Sequence, residues 1–342
     1  GASRPYAQPD SRFLFLISPP NDILRCALGY PAYCKANFNK RRWFSGLKMH
    51  DLEPNPYAEK LEFKDKFIER YSRLTDWNEF DKYNRAYLRK CIRVNTVKMN
   101  VPELKERLEG KWKLEQVPWC SEGFWIEHRG EKRIDIGNLR EHVLGYIYVQ
   151  EAASMLPPVV LSPKPGEIVL DMAAAPGSKT TQLAQYMNNK GMLVANDIAS
   201  DRLASLGINV QRCGLTNVVM TKTMGSSIKS PVKEGFDRIL LDAPCSGTGS
   251  IRKSLKTAGM WNPNMVKKLS SLQKKLIERA FSLLKEGGTM VYSTCSLEPE
   301  EDEEVVSSLL EKHGNAGLEE ISLNMNRSSA VEEFEGKACN PE

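Results

Sequence analysis

The sequence predicts an α/β chain: a doubly wound parallel sheet with a small α+β unit in front of it. Two observations carry this. After Pro157, short apolar runs at Ile168 to Leu170, Leu193 to Ala195, Val218 to Met220, Ile239 to Leu241 and Met290 to Tyr292 alternate with helical stretches. Strands of that length separated by helices form parallel sheets covered on both faces. From about Met265 to Lys285, Val266, Leu269, Leu272, Leu276, Ile277, Ala280 and Leu284 recur on one helical face, and Gly287-Gly288 are expected to stop that helix.

Before residue 150 the pattern is mixed. Leu61, Phe63, Phe67, Ile68, Tyr71 and Leu74 make an amphipathic helical stripe. Cys91 to Val97 reads as a strand, Pro102 to Leu108 as a short helix, and Phe124 to Arg133 as a strand pair. The expected division is therefore a small RNA-binding-size unit over 49–155 and the sheet over 156–323. Residues 1–48 carry Pro19-Pro20 and the basic Lys40-Arg41-Arg42 without any sustained period, and are expected to stand outside the fold as a disordered or non-native extension, with Met49 a candidate natural start. The tail 324–342 is likewise left unassigned.

A chain of 342 residues with 41% hydrophobic and 27% charged residues can bury a sizeable core, and its net charge of +5 permits a polyanionic partner without requiring one. Eight cysteines include no Cys-x-x-Cys pair, and there are four histidines, so no metal site or disulfide framework is legible. Reduced thiols fit a cytoplasmic setting. The apolar run Phe13 to Ile17 is too short to cross a bilayer, and no membrane association is expected.

The chemistry-bearing residues sit where strands are expected to end. Asp171 closes the first strand and leads through Met172-Ala173-Ala174-Ala175-Pro176-Gly177 into Ser178-Lys179-Thr180. Small residues there let backbone approach a ligand, although a purely structural turn would look the same. Ser178 separates Gly177 from Lys179, which excludes a phosphate-cradling Gly-Lys-Thr, and a single glycine excludes the dinucleotide fingerprint. Asp197 ends the second strand, where an acidic residue either meets a ribose or is merely solvated. The fourth strand ends in Asp242-Ala243-Pro244-Cys245 and the fifth in Ser293-Thr294-Cys295, so two thiols emerge on one sheet edge. A lone cysteine is usually core, but two in turn-forming loops at a ligand edge are not so readily explained. Arg252, Lys253, Lys256 and Trp261 then offer cations for phosphates and a ring for stacking on single-stranded RNA; a solvated loop is the plainer alternative. Trp119, Phe124 and Trp125 are expected in the core.

Taken together, Asp171 to Thr180, Asp242 to Gly249 and Tyr292 to Ser296 resemble the motifs of the NOP/Sun family of RNA cytosine-5 methyltransferases. The resemblance extends back through Arg93-Val94-Asn95-Thr96, Pro118-Trp119-Cys120, Gly145 to Tyr148 and Gln150 to Met155, covers roughly 60–323, and is nearest to archaeal members acting on tRNA. It implies a Rossmann-like sheet, S-adenosylmethionine as cofactor, no metal, and an RNA substrate, tRNA first. It further implies that Cys295 attacks carbon 6 of cytosine, that Cys245 serves release of the product, and that Asp242 and Lys179 meet the base. Ala174, Ala175, Pro176, Gly177, Asp197, Arg202 and Asp242 are the implied cofactor contacts.

Two departures from that family are visible. Met224 precedes Gly225 where members commonly carry Asp, and no Pro-His loop or Gly-Phe-Phe-like segment follows Leu323. Without sixth and seventh strands, the strand presenting Cys295 is expected to be a bare, apolar sheet edge. The rival reading is accordingly a catalytically impaired RNA-binding fragment of such an enzyme. A DNA cytosine methyltransferase is less apt, because its nucleophile lies in the Pro-Cys motif and Cys295 would have no part.

Overall fold

A computed structural model describes residues 12–18, 24–26, 53–130, 135–321 and several positions between 323 and 338. In chain order, β1 (Arg12–Ser18) and β2 (Leu24–Cys26) come first, then α1 (Asp65–Leu74) and α2 (Trp77–Asn84). β3 (Cys91–Val94), α3 (Val101–Glu109), β4 (Trp112–Gln116), β5 (Gly123–His128), α4 (Arg140–Val143) and β6 (Ile147–Val149) follow. The remainder runs α5 (Leu156–Leu161), β7 (Ile168–Asp171), α6 (Ser178–Tyr186), β8 (Met192–Asn196), α7 (Ser200–Cys213), β9 (Val218–Thr221), β10 (Phe236–Asp242), α8 (Lys256–Met260), α9 (Pro263–Leu283), β11 (Leu284–Ser293), α10 (Glu303–Leu310) and β12 (Ala316–Leu318).

The main sheet has the order β13-β2-β1-β11-β10-β7-β8-β9, where β13 is Arg327–Ser328 and β12 also pairs with β1, and every pair from β1 to β9 is parallel. The chain runs outward from β7 to β9, then returns to place β10 on the other side of β7. The carboxyl ends of β7 and β10 therefore flank the point where strand order reverses, which is where open parallel sheets bind ligands. Asp171 and Asp242 are the last residues of those two strands. Contrary to the bare edge anticipated for β11, residues 12–18 lie parallel beside it, from Phe13 against Thr289 to Ile17 against Ser293, so this part of 1–48 is a strand of the sheet.

The small unit is a four-stranded antiparallel sheet in the order β4-β5-β3-β6. β5 lies between β4 and β3, so the described part of the strand pair expected over 124–133 is a single strand, and residues 131–133 lie outside the described residues. Ile92, Val94, Leu104, Leu108, Trp112, Phe124 and Ile126 form its core. The stripe of α1 buries Phe67, Tyr71 and Leu74, but against the large unit: they pack with Ile251, Ala258, Trp261, Val266 and Leu297.

A buried arginine joins the two units. Arg93 of β3 donates to Gln150, to the Ser178 carbonyl at 2.9 Å, to Thr181 Oγ1 at 2.9 Å and to Gln185 Oε1 at 3.2 Å, all of the last three on α6. Its guanidinium is fully buried among neutral acceptors, and burial lowers its pKa from the ordinary arginine value.

The long helix α9 is capped by Asn262, whose side chain accepts from Met265 N. Its buried face differs from the apolar stripe expected: Leu272 is exposed, whereas Ser270 and Gln273 are buried. The reason is polar pairing, since Ser270 donates to the Glu300 carbonyl and Gln273 to Pro244 and Glu301. The helix stops at Leu283, and Gly287-Gly288 fall inside β11, in the irregular stretch where pairing with β10 jumps from Leu284 to Thr289.

Candidate active site

The loop after β7 is built on small residues and one glycine. Gly177 has φ +109°, and a Cβ on it would lie 2.8 Å from Leu206 Cδ1, so a side chain there would be both strained and crowded. Thr180 donates to Asp171 Oδ2 at 2.7 Å and to the Ala174 carbonyl at 3.2 Å, which closes the loop onto the strand. Asp171 is buried, and among the described residues Oδ1 has no hydrogen-bond partner. Burial, opposed by the Thr180 hydroxyl and reinforced by the charge of Asp242, pushes its carboxyl up to about 7.

Asp197 is buried behind this loop. It accepts from Ala175 N at 3.2 Å and Ala199 N at 3.1 Å and pairs with Arg202 at 3.4 Å. Arg202 also donates to the Ala175 carbonyl at 2.5 Å, so aspartate and arginine together hold the backbone of Ala175.

On the other side of the switch point, Lys179 Nζ lies 2.6 Å from Asp242 Oδ2, and Ser293 donates to Asp242 Oδ1 at 2.8 Å. Burial would lower the Lys179 pKa, but the charge and hydrogen bond of Asp242 outweigh it and raise the ammonium above its ordinary value. Ala173, Ala174, Ala175, Pro176, Lys179, Arg202, Asp242 and Cys295 face Tyr148 to Glu151, Ser154 and Lys253 across one cavity of about 400 Å³. That volume lies in the range of small-molecule sites.

The two thiols meet. Cys245 Sγ is 2.9 Å from Cys295 Sγ, and Cys295 N–H donates to Cys245 Sγ at 3.1 Å. Their environments push them apart in acidity. The hydrogen bond from Cys245 lowers the Cys295 pKa against the effect of burial, with Ser250 and Lys179 adding to it. The same hydrogen bond, burial and the negative charges of Cys295 and Glu301 raise that of Cys245 well above an ordinary thiol. The opposite shifts mean that the first proton lost from the pair comes from the exposed Cys295, while Cys245 keeps its own.

Two residues expected at an RNA surface are elsewhere. Trp261 is 1% exposed, packs edge-on against Phe67, and donates to Glu298 at 2.7 Å. Arg252 is 6% exposed, donates to the Tyr87 carbonyl at 2.6 Å and lies over the Tyr83 ring. Both are corrected from substrate contacts to packing residues, because α1 and α2 cover this segment. Lys253 remains at the cavity rim beside Glu151, at 3.8 Å, and Lys256 is exposed. Met224, the departure noted above, is exposed before the turn at Gly225.

What sequence reasoning missed is the acidic run Glu298-Pro299-Glu300-Glu301-Asp302-Glu303. Such a run reads as a solvated face, yet Glu298, Glu301, Asp302 and Glu303 are all buried. Its signal in the sequence is only its position after the second thiol.

Strand order, switch point and small-residue loop define a Rossmann-like methyltransferase. Residues 158–341 match the family described as 16S rRNA methyltransferase RsmB/F, and residues 63–152 match the N-terminal domain of 16S rRNA methyltransferase RsmF. The tRNA (cytosine(49)-C(5))-methyltransferase of Pyrococcus abyssi is 48% identical over 287 residues, 83% of this chain and 91% of that protein. Ribosomal RNA small subunit methyltransferase F of Aliivibrio fischeri is also 48% identical, over 67% of this chain but only 49% of its own length. A methyltransferase homologue of known structure from Pyrococcus horikoshii is 39% identical with a TM-score of 0.66, covering 75% of this chain and 83% of that one. The chain belongs to the RsmB/F, or NOP/Sun, family of RNA cytosine-5 methyltransferases.

Among the described residues no group of three or more His, Cys, Asp or Glu side chains is arranged to hold a metal, and no helix is long and apolar enough to cross a membrane.

Proposed function

We propose that this chain methylates carbon 5 of cytosine in RNA, using S-adenosylmethionine and a covalent adduct on Cys295. The observation that carries the reading is the thiol pair at the switch point, two sulfurs 2.9 Å apart whose surroundings shift their acidities in opposite directions. tRNA is the first substrate to test, because the tRNA-modifying relative is spanned almost whole whereas the rRNA-modifying relatives are spanned by about half. Among the described residues Cys120, Cys213, Cys245 and Cys295 form no disulfide, which suits a reducing compartment, and the cytoplasm is the proposed location.

The residues present fit the cofactor: small side chains from Ala173 to Ala175 leave room along the loop, and the Asp242 carboxylate on the same wall suits a cationic ligand. Ala174 to Gly177, Arg202 and Asp242 would hold it, with Asp197 fixing the loop backbone. S-adenosylmethionine supplies an electrophilic methyl group on sulfur.

Each protein group then has one task. The Cys295 thiolate adds to carbon 6, which makes carbon 5 nucleophilic. Asp242 and Lys179 orient the ring and stabilise charge that develops on it. Once Cys295 is bonded to carbon it no longer accepts the Cys245 proton or repels a second negative sulfur, so the two influences of Cys295 that keep Cys245 protonated are removed when a base is wanted, while burial and Glu301 remain. Cys245, having released its own proton to solvent, then takes the carbon 5 proton of the methylated adduct; the electron pair reforms the 5,6 double bond and expels Cys295 as thiolate.

Transfer of labelled methyl from S-adenosylmethionine into tRNA tests this. Cys295→Ala abolishes transfer and adduct, while Cys245→Ala accumulates a protein–RNA adduct on denaturing gels. Transfer surviving in Cys295→Ala would falsify the assignment, and RNA binding without transfer by the parent chain would favour the impaired RNA-binding reading.

A further inference from the structure

The residue after each active thiol is a serine, and both serines converge on one carboxylate. Glu301 is fully buried and accepts from Ser246 N at 3.0 Å, from the Ser246 hydroxyl, from Ser296 Oγ at 2.5 Å and from Gln273 Nε2 at 3.0 Å. Gln273 Nε2 also donates to the carbonyl of Pro244, the residue before Cys245, at 2.8 Å. The Glu301 carbonyl in turn takes the Tyr292 hydroxyl at 2.6 Å, three residues before Cys295. No cation pairs with this carboxylate among the described residues; it is held by donors alone. Hydrogen bonds to a charged acceptor are about twice as strong as neutral ones, and here they tie two loops from different strands to one group.

We propose that Glu301 is a positioning residue that fixes the separation of Cys245 and Cys295 by clamping Ser246 and Ser296. The loops come from different strands, β10 and β11, and hydrogen bonding between two sulfurs falls away steeply once they part. A single acceptor shared by both following residues couples the two loops, so neither sulfur moves without the other. The proposal rests on the reading that these thiols do the chemistry, but its test does not use methyl transfer as its only readout.

The test is the pH profile of Cys295 alkylation by iodoacetamide, read by peptide mass, in the full chain and in Glu301→Gln. The charged and titratable groups facing Cys295 are Cys245, Asp242 and Lys179, with Glu151, Arg202 and Lys253 around the same cavity, Asp171 behind Lys179, Glu301 behind Cys245, and Tyr292 buried on β11. An amide at 301 brings N–H donors into a cage of donors and loosens the clamp. Cys295 then loses the hydrogen bond from Cys245 that holds it acidic, and its profile moves to higher pH, toward that of Cys245→Ala. At neutral pH alkylation slows by roughly threefold or more. Removing the negative charge without moving the loops would shift the profile to lower pH instead.

If Glu301→Gln fails to fold, the double variant Ser246→Ala, Ser296→Ala keeps the carboxylate, removes both hydroxyls, and shows the same upward shift. In folded variants kcat for methyl transfer falls while KM for RNA is little changed. A downward or absent shift in both variants overturns the proposal, whatever happens to turnover. An upward shift in a chain that transfers no methyl would uphold the clamp and sink the catalytic reading separately.

Discussion

Lys179 and Asp242 form an ion pair of 2.6 Å whose aspartate is fixed on its other oxygen by Ser293, one strand away and two residues before Cys295. The pair places opposite charges beside one sulfur: Lys179 stabilises the Cys295 thiolate and Asp242 opposes it.

Neutralising the two members therefore moves Cys295 in opposite directions. Lys179→Met shifts Cys295 alkylation to higher pH, because the lysine charge that favours thiolate is gone. Asp242→Asn shifts it to lower pH, yet methyl transfer falls by about 10²–10³-fold, as for loss of one charge-stabilising group. Turnover and thiol reactivity measured on the same samples check this; parallel loss of both in Asp242→Asn would contradict it.

Asp171 predicts a pH-dependent stability. Its folded pKa of about 7 lies above that of an ordinary unfolded aspartate, so the native state holds the extra proton. This contribution is fully present below the unfolded value and is lost as pH rises from about 4 through about 7, amounting to roughly 4 kcal/mol at most. Asp171→Asn removes that slope. Urea unfolding at several pH values, in parent and variant, reads it as a difference that widens toward pH 8.

Burial separates two kinds of basic-segment residue. Trp261→Ala removes a buried ring and destabilises the fold by about 3–5 kcal/mol, with RNA affinity of the folded fraction unchanged. Lys253→Ala leaves thermal stability intact but weakens RNA binding and reduces its salt slope by about one. Binding isotherms at several salt concentrations distinguish them.

How much of this was legible follows from which signals are local. The five strands from Ile168 to Tyr292, α9 and the thiol-bearing loops announce themselves through apolar runs and the turn residues that end them. Pairing partners do not, so β4 was missed beside β5, and the place of residues 12–18 next to β11 depends on contacts far apart in sequence. Polarity misled in both directions. Arg252 and Trp261 look like a nucleic-acid surface until α1 and α2 cover them, while Glu301, Gln273 and Ser270 look solvated until they are seen paired with one another or with backbone. The identity of a side chain states what it can bond to, but not whether water or protein supplies the partner.

The guanidinium of Arg93 has a consequence for the substrate. With its donors spent on Gln150 and on successive turns of α6, the small unit is bolted to the helix that follows the cofactor loop, and a hinge between the two units would strand an unsolvated cation. A frame that does not open leaves the nucleic acid to do the deforming. On the proposed function, the target cytosine must swing out of its stack to reach Cys295, and nucleotides already loosened by a junction or loop are selected because their extrusion requires the least unstacking.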